Sequence, residues 1–181
     1  MNTIKDDFRG VTLIEMLVTL LILSIGLLGV AALQSRGQQF NFASNMRTQS
    51  TLLGSDIMEQ IRANMAFAKN DVLTNGTAVG KGYVVNASNK PTISVDYCDN
   101  NTCTPAQLRN YDLARWYQQL AASLPSGTGS ISAVRLPEPP LGDGKDQVRY
   151  TISITWALRE SEYEDATTNA NTKTITWVIQ I

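Results

Sequence analysis

Three kinds of hydrophobic spacing follow one another along the chain. Residues 11–33, VTLIEMLVTLLILSIGLLGVAAL, are apolar almost throughout and carry one charge, Glu15, in 23 positions. A helix of that length spans roughly 34 Å, enough for a hydrocarbon core of about 30 Å. From 34 to about 70 the spacing turns amphipathic. Leu53, Ile57, Ile61 and Met65 step by four, joined by Met58 and Ala68, while Asp56, Glu59, Arg62 and Lys69 fall off that stripe. This predicts one helix face that packs on a sheet. Joined to the apolar run it gives a rod of about 60 residues, roughly 90 Å long, with Gly37 and Gly54 as its weak points.

Beyond 70 the period shortens. Residues 71–91 read as a loop with a short strand at 83–85, and 92–97 alternates weakly enough for one more strand. A helix is predicted over 105–123: Thr104 stands at the N-cap, Pro105 in the first turn and Gln107 three on, a capping-box pattern. Leu113, Trp116, Tyr117, Leu120 and Leu124 share one of its faces, and Pro125, Gly127 and Gly129 end it. A strand at 131–136 leads into the turn-rich PEPPLGDGKD, 137–146. Strict alternation then marks strands at 148–158 and 174–181, which pair antiparallel across an acidic, solvated loop.

Composition narrows the chemistry. The chain has 181 residues, room for one soluble domain of ordinary size after the apolar run, and a formal charge of −1. That balance offers no basic patch for nucleic acid. It contains no histidine, which removes the commonest general base and zinc ligand. No G-x-S-x-G, phosphate loop or metal-ligand cluster replaces it, so an anchored enzyme is disfavoured and no cofactor is expected. Asp143 and Asp146 flank Gly144, yet the spacing lacks the EF-hand pattern and its terminal glutamate. Met58 and Met65 are core filler. The two cysteines, Cys98 and Cys103, lie beyond the apolar run in a C-x4-C spacing, not the redox C-x-x-C. Outside the cytoplasm they form a structural disulfide that holds the helix after it against the strand before it.

The leader reverses the order of a secretory signal. MNTIKDDFRG precedes the apolar run, and its one glycine is its last residue; a cut after Gly10 leaves the apolar segment on the mature chain. Lys5 and Arg9 place the leader on the cytoplasmic side, with Asp6 and Asp7 diluting the signal. The stretch RGVTLIEMLV resembles the type IV prepilin motif, in which a peptidase cuts after glycine and the fifth mature residue is glutamate. Counted from Val11, that residue is Glu15. The resemblance implies cleavage between Gly10 and Val11 and N-methylation of Val11, a position the family usually fills with phenylalanine. It also implies that the Glu15 carboxylate pairs with the terminal amine of a neighbouring subunit. A carboxylate at the membrane centre costs about 2.5–3.5 kcal/mol; a buried pair offsets that and favours one register, although it adds little net stability.

IGLLGVAALQ at 25–34, the C-x4-C pair, the Asp112-Leu113-Ala114-x-Trp116 helix and a closing Y-x-I-x-I-x-W strand resemble the PilV group of minor pilins. That group implies an α+β, pilin-like fold: a long N-terminal helix packed on an antiparallel sheet, one further helix and a small disulfide loop. It implies a leader at 1–10, a membrane and assembly half of the helix at 11–33, an amphipathic half at 34–70 and a head at 71–181. The implied function is a minor pilin that primes pilus assembly and sits in the tip complex, supporting twitching motility and adhesion. The implied partners are a prepilin peptidase/N-methyltransferase, other minor pilins, the major pilin and a tip adhesin-like protein. The subunit would sit in the inner membrane with its head in the periplasm, then in the pilus fibre. Minor pseudopilins of type II secretion share the leader and the helix, and a DNA-uptake pilin would want a basic aromatic patch. N-terminal sequencing of the mature protein is expected to begin at Val11; a start at Met1, or a cut beyond residue 33, would overturn the processing reading.

Overall fold

The computed structural model describes residues 12–75, 78, 80–89, 98–136, 147–158 and 172–181. They form α1 (Leu13–Ala63), α2 (Met65–Asn75), one 3-10 turn (Ala87–Asn89), α3 (Pro105–Ser123), β1 (Thr128–Leu136), β2 (Gln147–Ala157) and β3 (Thr172–Gln180). The architecture is the expected α+β, pilin-like one: a long N-terminal apolar helix, further helices, a three-stranded antiparallel sheet and a Cys98–Cys103 disulfide. The chain divides into two compact units, Met1–Phe42 and Ala43–Ile181.

In the first unit the apolar part of α1 buries nothing; from Leu13 to Leu33 each side chain is exposed. Its hydroxyls turn back on the helix, Thr19 Oγ1 donating to Met16 O at 2.9 Å and Ser24 Oγ to Leu20 O at 2.7 Å. With polar atoms satisfied internally, such a surface suits lipid tails or packed helices and not water.

In the second unit α1 becomes part of a core. Met46, Ser50, Leu53, Gly54, Ile57 and Ile61 are buried, at steps of three and four. The predicted stripe then changes course. Met65 is 44% exposed, and the buried positions run instead through Asn64, Ala68 and Val72. The long helix correspondingly stops at Ala63 and resumes as α2, so there are two further α-helices where one was expected. The reason is a side chain with distant partners. Asn64 Nδ2 donates to Pro105 O at 2.8 Å and to the Tyr83 hydroxyl at 3.2 Å. The main chain still spans the break, with Asn64 N bonded to Gln60 O and Ala68 N to Asn64 O.

The two suspect glycines leave α1 unbroken. Gly54 has a packing role: a Cβ there would stand 3.0 Å from the Trp177 ring of β3. One residue earlier, Leu53 O accepts from Trp116 Nε1 of α3 at 3.1 Å. A single turn of α1 therefore touches both β3 and α3.

α3 begins as read. Thr104 and Gln107 satisfy each other's backbone N–H groups and Pro105 opens the first turn. The disulfide closes immediately before it, and Tyr111 OH donates to Asp99 Oδ1 inside that loop. The buried face of α3 includes Leu113, Trp116, Tyr117 and Leu120. The strand expected at 92–97, the turn at 137–146 and the loop at 159–171 lie outside the described residues.

The sheet runs in the order β1-β2-β3, with Ile131 opposite Ile152 and Ile152 opposite Trp177. Val148, Tyr150, Ile152, Ile154 and Trp156 of the central strand are all buried, as their alternation requires. The strand expected at 83–85 is one bridge, Val85 to Ile131. β1 starts earlier than 131 because Gly129 admits the Trp116 ring, whose edge would lie 2.3 Å from a Cβ. Replacing Gly54 by leucine forces the Trp177 ring aside and is expected to cost about 1–3 kcal/mol of head stability. Gly37→Ala, with nothing within 4 Å of its Cβ, is expected to leave the same near-UV circular dichroism melt unchanged.

Candidate functional site

Two regions bring together side chains of chemical interest, one in each unit. At the start of α1, Thr12 sits just before the first helical residue. Its Oγ1 accepts from Glu15 N at 3.4 Å and its carbonyl from Met16 N at 3.2 Å. Thr12 is thus an N-cap, and Glu15 stands three residues on, where the helix dipole favours a negative charge. Thr-x-x-Glu is itself a helix-start signal, which the acid's place in an apolar run overshadowed. Glu15 is exposed, as are its apolar neighbours Ile14, Met16 and Leu17. Gly10 and Val11 lie outside the described residues. Cys98 and Cys103 belong to the second unit, where they are bonded to each other.

The second region is a buried polar cluster that periodicity did not reveal. Tyr83 OH donates to Asp112 Oδ2 at 2.6 Å and accepts from Asn64 Nδ2. Tyr83 N donates to the Tyr150 hydroxyl at 3.2 Å, and that hydroxyl donates to Ala68 O at 3.1 Å. Beside them Arg109 donates to Gly82 O at 2.7 Å and Val84 O at 3.1 Å, while Gly82 N donates to Asp71 Oδ2. Gly82 has φ +51°, and a Cβ there would collide with the Tyr150 hydroxyl at 2.2 Å. Only glycine fits both demands.

Electrostatics follow from enclosure. Burial raises the Asp112 carboxyl above its ordinary range, and donation from Tyr83, which favours the charged form, only partly offsets that. Burial and the Asp112 acceptor push the Tyr83 phenol upward. Burial alone takes Tyr117 to about 12, and Tyr150 also rises to about 12, chiefly by burial. Burial lowers Arg109, although a guanidinium keeps its charge in proteins. Each of these groups is held by protein partners from different elements, so the cluster fastens those elements together. A shallow groove lined by Phe67, Asn70, Asp71 and Pro105 offers one carboxylate, already engaged with Gly82 N. Among the described residues no three of His, Cys, Asp and Glu gather to hold a metal; Asp143 and Asp146 lie outside them.

Residues 6–31 match the family described as the prokaryotic N-terminal methylation motif. No curated protein and no solved structure matches the chain. The match supports a type IV pilin-like or pseudopilin subunit, processed by a prepilin peptidase and assembled with other pilins. Among the described residues one helix, α1, is long and apolar enough to cross a membrane, which fits anchoring before assembly.

The Asp112 carboxyl binds its proton more tightly in the folded chain than in the unfolded one. Its contribution to stability is therefore complete below the ordinary carboxylate range and is lost as pH rises through the raised folded value. Asp112→Asn abolishes that dependence. In urea melts, the variant's stability relative to the parent is expected to improve between about pH 4 and pH 7; a pH-independent difference would contradict this.

Proposed function

We propose that the chain is a minor pilin of a type IV pilus, a structural subunit that helps prime assembly and sits in the tip complex. The observation that carries this reading is the methylation-motif match at residues 6–31, which overlaps a helix segment, Leu13 to Leu33, whose side chains are all exposed. The sequence carries no histidine and no G-x-S-x-G motif, as suits a subunit that acts by contact. Support for a pilus rather than a type II secretion pseudopilin comes from the head, which is large beside those of I-type pseudopilins.

The mechanism follows from the helix. Cleavage between Gly10 and Val11 frees an amine at the head of the apolar run, where Val11 is methylated. Moving that run from lipid into a filament of packed helices exchanges one apolar environment for another, so the hydrophobic term changes little. Glu15 is the group that gains: unpaired in lipid it is costly, and opposite a neighbour's N-terminal amine it is matched. The carboxylate thus selects the axial register at which a subunit is taken up. The head, carried outside the inner membrane, meets the other minor pilins, the major pilin and a tip adhesin-like protein, and through them supports twitching and adhesion.

Glu15→Ala is expected to remain membrane-inserted and to disappear from sheared pilus fractions. Deletion of the gene is expected to reduce surface pili and twitching with secretion intact. Normal piliation with impaired secretion would identify a pseudopilin instead.

A further inference from the structure

The two edges of the sheet are finished differently. On β1, Ile131 exchanges both backbone bonds with Val85, at 2.8 and 2.9 Å, and Gly129 O accepts from the Tyr117 hydroxyl at 2.7 Å. These groups point away from β2, so the chain itself seals part of that edge. On β3 the phase is set by Val148 and Ile181, which exchange bonds at 2.9 and 3.0 Å. In an antiparallel pair every second residue is bonded in this way, so Lys173, Ile175, Trp177 and Ile179 also face β2. Thr172, Thr174, Thr176, Val178 and Gln180 therefore turn their N–H and C=O groups outward. Among the described residues none of those backbone groups has a backbone partner.

The side chains repeat the pattern. On the outer face Thr174 bonds Thr155 at 2.8 Å and Thr176 bonds Ser153 at 3.2 Å, so the hydroxyls are satisfied, while the outward backbone groups have no backbone partner among the described residues. On the inner face Ile152 and Ile154 of β2 are fully buried, yet Ile175 and Trp177 beside them are only half-buried. Val178 is 58% exposed. Free sheet edges are normally blunted by proline, a bulge or several charges. Residues 174–180 contain neither proline nor charge, and Lys173 is the strand's single ionic group.

We propose that β3 takes up an added antiparallel strand from another protein, an extended segment with apolar residues at alternate positions and a carboxylate beside Lys173. Five outward N–H and C=O pairs at two-residue intervals recognise an extended backbone and little else. The apolar alternates complete the cover over Ile175 and Trp177, and the acid pairs with the lysine across the strands. A second copy of β3 fits worse: paired about Thr176 it sets Lys173 opposite Ile179 and supplies no acid. This inference rests on the sheet alone and stands apart from the pilus reading.

The test uses the full chain in detergent micelles and the capped peptide TVTVTVTET, matched to the nine residues of β3. Amide exchange is followed by NMR. The expected result is that Thr174, Thr176 and Val178 exchange fast in the free chain and slow by about tenfold or more with peptide. Ile175 and Trp177, already bonded to β2, should not change. Lys173→Glu is expected to weaken this peptide by roughly twofold to fivefold, and to prefer the peptide with lysine in place of glutamate. Thr176→Pro removes an outward donor without taking a bond from β2 and should abolish the protection. Should it fail to fold, the charge exchange at Lys173 decides. Outward amides already slow in the free chain, or unaffected by the peptide, would overturn the proposal.

Discussion

The hydroxyl of Tyr83 holds the second unit closed. It reaches Asp112 on α3 and Asn64 at the junction of α1 and α2, while the backbone of the same residue reaches Tyr150 on β2. A phenol and a carboxylate buried without partners would each cost several kcal/mol at the upper end, and bonded to each other they cost far less. The core therefore closes only when these parts arrive together. Their separations along the chain, 19, 29 and 67 residues, give that closure a large entropy to overcome. The segment around Gly82 is consequently hard to replace, since Arg109 and Asp71 secure its backbone as well.

What the sequence revealed and what it hid divide along the range of the forces involved. α3 was legible because its start is written locally, in Thr104, Pro105 and Gln107, and its buried face repeats at helical spacing. β2 and β3 were legible by alternation. Tyr83, Val84 and Val85 are all buried: a segment enclosed on every side shows no period, so its apparent strand shrank to one bridge. The break at Asn64 was hidden because its cause, the carbonyl of Pro105, lies 41 residues away. Spacing favoured Met65 for the core, and a long-range hydrogen bond favoured its polar neighbour. For the leader segment the acid within an apolar run was plain, but that Glu15 also completes a cap with Thr12 was masked by the more conspicuous anomaly of its charge.

The two units obey different solvents. The core of the second rests on ordinary burial, with Ile57, Ile61, Trp116 and Trp156 withdrawn from water. The apolar part of α1 withdraws nothing and has no preferred face, so its surroundings decide what it packs against. Helical order there comes from satisfied backbone groups and from hydroxyls folded onto them at Thr19 and Ser24, not from a core. Thus one stretch of chain is specified by its neighbours, and the other is specified by itself.

The anchoring of α1 in the second unit also has a mechanical meaning. Leu53 is bonded to Trp116, Gly54 lies against Trp177, and Asn64 is bonded to Pro105. These fastenings are spread over about three helical turns, roughly 16 Å. A pull along the helix axis loads them simultaneously, in shear, instead of peeling them one after another. Rupture then requires several bonds to fail together, so the head resists axial tension more strongly than a sideways pull of the same size.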